Sequence, residues 1–491
     1  MILKTKTTLN ELLSDLKNRL PSRWISEVPI PRRRLVWVEG RKDINVSLGM
    51  YKASYALGIT LVIIDNPGHW LEDNAGAYAY LREAFIPVRI AADEGFVERI
   101  LSAVRAYDKP IDGVMTVSDA RLQGVAEVCD ILGLPTSPAS AYAIAGDKAK
   151  TRMLEPDTSG AYAFESVAAL EKQLGPGGLL DGLQYPVIVK PCIGWGSECI
   201  SKVSNDKELV VAAQKASNRH ANSPQRRADF LIERYVDGPE VDINFALQDG
   251  KVVFYEVADD YPSRGDFPDA SAVDNFQETA NLLPCGLPES ELALVRDHVH
   301  QSILRMGFVN GTFHCEARIE NSSMAFELKD RRLGDLYSTE EQNAPPKVYL
   351  HEINARPAGY LESVATNLTW GVDYYALQLV FSLGDMSRYS SLSEPFRNGP
   401  QWYLALLLVP EEGVGVMKTP DTVKDLMERH DDLREAIVDY NTVIKGGDRL
   451  FGPSASELSY LAYISVVSKK SRKECLRLAN KTLEEFRYEL E

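Results

Sequence analysis

Between residues 35 and 117 the chain alternates short apolar runs with stretches of helical periodicity, and this alternation restricts the fold more than any other feature. The runs 35–40 (LVWVEG), 59–65 (ITLVIID), 86–90 (IPVRI) and 112–117 (DGVMTV) are apolar with little polar alternation. A strand that is apolar on both sides has to be covered on both sides, which is the condition of parallel strands buried by crossover helices. The helical patterns at 97–108 (VERILSAVRAYD) and 120–133 (ARLQGVAEVCDILG) supply such crossovers. An α/β unit with a parallel sheet is therefore expected over 35–142. Glu39-Gly40 could open a nucleotide loop, but no G-x-G-x-x-G follows, and a dinucleotide site is not expected. At 491 residues the chain exceeds one ordinary core and has to build more than one domain.

The character changes after residue 142. A helix around 146–154 (GDKAKTRML) leads through a Gly/Pro stretch to a strand at 185–191 (YPVIVKP). Two antiparallel strands are expected at 230–247 and 251–262, turning at Gln248-Asp249-Gly250. A helix at 289–307 precedes strands at 311–319 and 348–354, joined by a polar segment (320–347) too long for a hairpin turn. That segment is expected to be a functional loop or a disordered insertion. The last hundred residues hold strands at 402–410 and 461–468, a Gly446-Gly447 turn and a closing amphipathic helix.

Chemistry concentrates in His351-Glu352-Ile353-Asn354-Ala355-Arg356-Pro357-Ala358-Gly359. On a strand, Glu352 and Asn354 share one face, while His351 and Ile353 take the other. A carboxylate, an amide oxygen and a nearby guanidinium suit Mg²⁺ (or Mn²⁺) bridged to phosphates. Thr312, His314, Glu316 and Arg318 share a face of the preceding strand, so pairing would bring Glu316 beside Glu352 and Asn354. Lys190 ends a strand before a loop containing Gly194, Gly196 and Ser197, whose backbone N–H groups can approach phosphate oxygens. Asp147-Lys148 and Arg152 form a charged cluster at a helix start, with Asp147 also readable as a plain cap. Glu233 to Glu240 (ERYVDGPE) reads as a hinge between two strands, able to offer backbone groups to a base and a carboxylate to ribose.

The net charge of −16 argues against a nucleic-acid partner, so any phosphates would bind in a local pocket. No apolar run reaches bilayer-spanning length. The N-terminal twenty residues follow an amphipathic, charged helix pattern unlike a secretory leader. Six cysteines without C-x-x-C spacing indicate neither a disulfide framework nor a zinc site. A cytoplasmic protein is expected, with no membrane partner.

Taken in chain order, these pieces resemble the ATP-grasp superfamily over roughly residues 35–385. The quoted elements are Asp147-Lys148, Lys190-Pro191, Gly194-x-Gly196-Ser197, Glu233 to Glu240, Glu316, and Glu352-x-Asn354-x-Arg356. The resemblance implies an α/β protein, α+β in the grasp domain. Its parts would be an N-terminal helical extension (1–34), a Rossmann-like domain (35–142), a two-lobed ATP-grasp domain (143–388, mobile lid about 155–235) and a C-terminal α+β domain (389–491). It also implies roles. Lys148 and Lys190 would bind ATP phosphates under the loop of Gly194, Gly196 and Ser197. Glu233 and the backbone at Val236 would face adenine, and Glu240 the ribose. Glu316, Glu352 and Asn354 would hold the metal, and Arg356 would act with Lys190 on the transferring phosphoryl group. One departure is that Cys199 stands where the family's loop often has a third glycine.

Within the superfamily, Asp274-Asn275-Phe276-Gln277-Glu278 and Arg356-Pro357-Ala358-Gly359 resemble segments of the L-amino-acid ligases. That resemblance implies activation of a carboxylate as an acyl phosphate and its capture by an amine, probed by Arg356, Gly359, Glu278 and His314 on the substrate side. His351 would be a packed core histidine. A homodimer is expected. A bicarbonate-using carboxylase is the alternative, although the M-K-M motif of a biotin carrier is absent from the sequence; a non-catalytic nucleotide-binding protein is another.

Overall fold

The computed structural model describes residues 31–491 apart from 195, 269, 271–274, 328–331, 340–343 and 453–458. Residues 1–30 of the expected N-terminal extension, and Asp274, therefore lie outside the described residues.

The first apolar runs form β1 (Arg33–Val38), β2 (Ile59–Asp65), β3 (Ala84–Pro87) and β4 (Gly113–Met115), all parallel, in the order β3-β2-β1-β4. Alternation divides their side chains between two cores. Val36, Val38, Val62 and Ile64 pack under helices Phe96–Ala106 and Asp119–Leu132. Leu35, Trp37, Leu61 and Ile63 face helices Leu48–Ala56 and Tyr374–Ser382 on the other side.

A second four-stranded sheet holds β5 (Ala161–Phe164), β6 (Val187–Pro191), β7 (Ser201–Val203) and β8 (Phe230–Arg234), in the order β5-β8-β6-β7. Helix Asp206–Ala221 covers it, capped by Asn205, whose side chain accepts from the backbone N–H groups of Lys207 and Glu208.

The largest sheet is antiparallel and has eight strands. Its members are β9 (Glu240–Gln248), β10 (Lys251–Asp260), β11 (Ala280–Leu283), β12 (Gly311–Glu320), β15 (Lys347–Asn354), β16 (Tyr403–Pro410), β18 (Ile437–Thr442) and β20 (Tyr460–Ser468). Their order is β15-β12-β9-β10-β11-β16-β20-β18. The expected C-terminal domain thus has no large sheet of its own: β16, β18 and β20 extend the sheet that begins with β9. Two small pairs remain. One is β13 (Met324–Phe326) with β14 (Leu336–Ser338), which gives part of the 320–347 segment regular structure; the other is β17 (Gly415–Val416) with β19 (Arg449–Leu450).

The turn from β8 to β9 carries the chain from the second sheet into the largest one, as the hinge reading of Glu233 to Glu240 expects. Gly238 is required there. Its φ is +115°, and a Cβ on it would run into the carbonyl oxygen of Ile319.

Candidate active site

Polar side chains cross the largest sheet in rows. One row is Asn354, His314, Asn244 and Glu256 on β15, β12, β9 and β10; the next contains Glu352, Glu316 and Asp242; a third contains Tyr349, Arg318, Glu240 and Asp260. The residues between them, including Ile353, Cys315, Ile243 and Val257, point the other way into an apolar core against helix Glu289–Met306. Period-two alternation thus makes one face a core and the other a charged floor. Glu316 lies directly opposite Glu352, the juxtaposition expected from the sequence.

Strict alternation fails at one point. Glu316 pairs with Glu352 but Ala317 pairs with Leu350, so His351 is the extra residue of a β-bulge. The bulge lets Leu350 join the core. It also places His351 on the wall of the cleft, its ring edge-on to Tyr349 at 5.6 Å. The expectation that His351 points away from the site is corrected here; a one-residue insertion re-aims a side chain that pure period two would bury. Burial, then Lys190 and Arg318, push its pKa well below the usual histidine value.

The helix Lys148–Met153 and the end of β6 bring cations to this floor. Asp147 does cap a helix, accepting from Ala149 and Lys150 N–H at 3.1 Å, and this fixes Lys148 in the first turn. Lys148 Nζ then sits 2.8 Å from Glu352 Oε2 and donates to the Gly194 carbonyl at 3.1 Å. One helical turn on, Arg152 reaches Glu233 at 3.0 Å with its guanidinium 3.9 Å from the Tyr349 ring centre. Lys190 closes an ion pair with the same Glu233. Glu233 is 2% exposed. Burial opposes its charge, yet Lys190 and Arg152 hold its pKa down to about 2. The Glu233 carboxylate is committed to Lys190, Arg152 and the Tyr349 hydroxyl. Glu240 is bound by Arg318 through Oε2, at 2.6 and 2.8 Å, and Arg318 also donates to the Val236 carbonyl at 3.2 Å.

The loop after β6 is strained. Gly194 and Gly196 have φ of +144° and +58°, but Ser197 (+54°) and Cys199 (+57°) adopt the same half of the map without being glycine. The departure seen at Cys199 is therefore a left-handed residue occupied by a side chain.

At the far end, Arg356 is fixed to Asp119 by Nε and Nη2 at 2.8–2.9 Å, and its Nη1 donates to the Pro357 carbonyl. A Cβ on Gly359 would strike the Glu362 carboxylate, which takes the Gly359 N–H. His314 Nδ1 is 3.0 Å from Asn244 Oδ1, and burial, then Arg356, lower its pKa to about 3.

Two clefts meet at Lys148, Lys190, Glu316 and Glu352. One, of about 730 Å³, is lined by Gly194, Gly196, Ser197, Glu278, His314, Asn354, Arg356 and Gly359. The other, of about 770 Å³, is lined by Glu233, Val236 and Glu240 together with Ile188, Tyr261 and Phe276. The residues assigned phosphate, base, ribose, metal or substrate roles from the sequence all line one or the other, whereas Asp147, Arg152 and Thr312 line neither. Burial, then Glu352 and Glu278, push the Glu316 carboxyl well above its usual range. Glu352 is held low, because Lys148 and Asn354 overcome its burial. Among the described residues no three His, Cys, Asp or Glu side chains converge to hold a metal. Two facing carboxylates with the Asn354 amide are nevertheless a fitting donor set for Mg²⁺ or Mn²⁺, which take few protein carboxylates and fill their shell with phosphate and water.

Several lining or supporting residues escaped the sequence reading: Asp119, Asp242, Asn244, Glu256, Asp260 and Glu362. Glu240-x-Asp242-x-Asn244 repeats the same period-two polar pattern as Glu352-x-Asn354 and could have signalled the first strand of the floor.

Family profiles for an ATP-grasp N-terminal domain and an ATP-grasp domain match residues 51–136 and 183–340. The chain is 35% identical over 487 residues to the ATP-grasp enzyme fsqD of Aspergillus fumigatus, covering 97% of this chain and 82% of that one. It is 22% identical over 306 residues to mouse (Mus musculus) carnosine synthase 1, spanning 59% of this chain and 35% of that longer one. In fold it is similar to an L-amino acid ligase from Bacillus licheniformis, with TM-score 0.70 and 19% identity over 94% of this chain and all of that one.

Proposed function

The chain belongs to the ATP-grasp enzymes, and on that premise we propose that it is a carboxylate–amine ligase joining one amino acid to another. The γ-phosphoryl group of ATP passes to a substrate carboxylate, an amine displaces phosphate from the acyl phosphate, and an amide, ADP and phosphate result. The observation that carries this reading is the junction of the two clefts, where Glu316 faces Glu352 with Lys148 and Lys190 beside them. A free carboxylate is a poor electrophile because oxide cannot leave at neutral pH. Phosphorylation provides a leaving group, and the protein's share is positioning and charge stabilisation.

In this reading Lys148 and Lys190 bind the ATP phosphates, and the backbone N–H groups of Gly194, Gly196 and Ser197 close over them. The Val236 backbone meets adenine among Ile188, Tyr261 and Phe276. Glu240, with Oε2 held by Arg318, offers Oε1 to the ribose. Glu233 keeps Lys190 in place instead of touching the base. Glu316, Glu352 and Asn354 would hold Mg²⁺ or Mn²⁺, whose charge would offset that of the ATP phosphates. Arg356, oriented by Asp119, steadies the transferring phosphoryl group. Substrate lies toward Gly359, Glu278 and His314. The names of the L-amino acid ligase and of carnosine synthase support amino acids as substrates. Among the described residues no helix is long and apolar enough to cross a membrane; a cytoplasmic homodimer acting on small molecules completes the proposal.

The test is ADP release with MgATP across paired amino acids and small carboxylates, against Glu352→Ala. ADP formed only when carboxylate and amine are both present, and reduced about 10²–10³-fold in the variant, is the expected result. Turnover with bicarbonate alone would make the enzyme a carboxylase, and failure to bind ATP would end the reading.

A further inference from the structure

The row Glu256–Asn244–His314 is a chain of hydrogen bonds with a direction. Asn244 Nδ2 donates to Glu256 Oε1 at 3.0 Å, so its amide oxygen turns toward His314. His314 Nδ1 lies 3.0 Å from that oxygen, and an amide oxygen can only accept. The proton therefore sits on Nδ1, and Nε2 carries a lone pair. His314 is 7% exposed, yet it lines the more polar end of the site. Its Nε2 is 3.8 Å from Glu316 Oε1, beyond hydrogen-bond range. His314, Glu316 and Glu352 do not converge as a three-ligand metal set either.

Two further carboxyl groups, of Glu278 and Glu362, line the same wall and offer acceptor oxygens. Of the cations lining this cleft, Lys148 pairs with Glu352, Lys190 pairs with Glu233, and Arg356 directs Nε, Nη1 and Nη2 to Asp119 and Pro357. Acceptor oxygens of Glu278 and Glu362 beside a lone pair on His314 Nε2 suit a group that brings its own N–H donors and a positive charge.

We propose that this end of the cleft docks the ammonium group of the amine substrate, with His314 Nε2 as a fixed acceptor and with Asn244 and Glu256 as positioning residues that set its tautomer. The assignment rests on the ligase reading and adds to it the place where the nucleophile enters. His314 touches substrate; Asn244 and Glu256 act only through it.

Two measurements test it. Histidine-selective ¹⁵N NMR of the 491-residue chain reads the tautomers of its seven histidines, with His314→Leu identifying the resonance. Nδ1–H at His314 is expected, and Nε2–H would overturn the proposal. In the second, wild type, His314→Leu and Asn244→Leu receive MgATP and an equimolar mixture of the twenty L-amino acids. Each is assayed with and without concentrated hydroxylamine, which captures the acyl phosphate as a hydroxamate without needing the amine dock. The amino-acid concentration that half-saturates amide formation, divided by that for hydroxamate formation, should rise about tenfold in both variants, as loss of one charge-assisted hydrogen bond implies. An unchanged ratio would overturn the dock while leaving the ligase intact. No hydroxamate from wild type would overturn the ligase reading itself.

Discussion

The parallel sheet at the start of the chain and the floor of the cleft are both buried, but they are held together by different rules. In the sheet, Val36, Val38, Val62 and Ile64 on one face and Leu35, Trp37, Leu61 and Ile63 on the other are at most 2% exposed. Each contributes apolar area, and no single residue has an obligatory partner. In the cleft, Lys148 is paired with Glu352, and Lys190 and Arg152 share Glu233. A buried charge without its partner costs far more than a lost methyl group. The sheet should therefore fail gradually, by volume, and the cleft abruptly, by charge.

The sharpest way to break that contrast is Glu233→Gln. It leaves Lys190 and Arg152 without a counter-charge and should destabilise the protein by about 3–5 kcal/mol in urea unfolding. The wild type should show the same dependence in pH. Because the folded pKa of Glu233 lies near 2, below the ordinary carboxylate value of 4.5, its contribution is complete above about pH 4.5. That contribution disappears as pH falls toward 2, and the variant should lack this part of the acid slope. If Glu233→Gln unfolds with wild-type stability at neutral pH, the charged region obeys the same rule as the sheet.

Ile63→Ala should cost about 2–5 kcal/mol in the same assay while leaving the KM for ATP as it is. A changed KM would mean that the sheet is coupled to the site more tightly than its apolar packing implies. The smallest effect belongs to the loop. Cys199→Gly removes a side chain from φ +57° and should raise the unfolding free energy by about 1 kcal/mol. No gain would indicate that packing around Cys199 offsets the strain.

Much of this contrast was legible beforehand, for reasons that differ by element. The parallel sheet was visible because β1 and β2 are apolar on both faces, and only helical crossovers satisfy that pattern. The pairing of Glu316 with Glu352 was visible because two period-two strands leave few registers that bury both apolar faces. His351 was misassigned because a bulge adds one residue to one strand and leaves no mark in composition. The ion pairs of Glu233 were not visible because its sequence neighbours form a hinge, while its partners Lys190 and Arg152 come from distant segments. Asn244 and Glu256 stayed hidden for a similar reason: each looks like an ordinary polar strand residue until β12 is laid against β9.

The order of the largest sheet has a consequence for how the protein is made. β11 has four residues and sits between β10, which precedes it, and β16, which follows only after β12 to β15 and four helices have been synthesised. Until β16 arrives, one side of β11 is an open row of backbone donors and acceptors, the kind of edge that recruits strands from other chains. A ribosome stalled before residue 403 would thus hold a nearly assembled charged floor beside an adhesive edge. Expression of fragments ending there should yield aggregates, whereas chains extended through β20 should stay in solution.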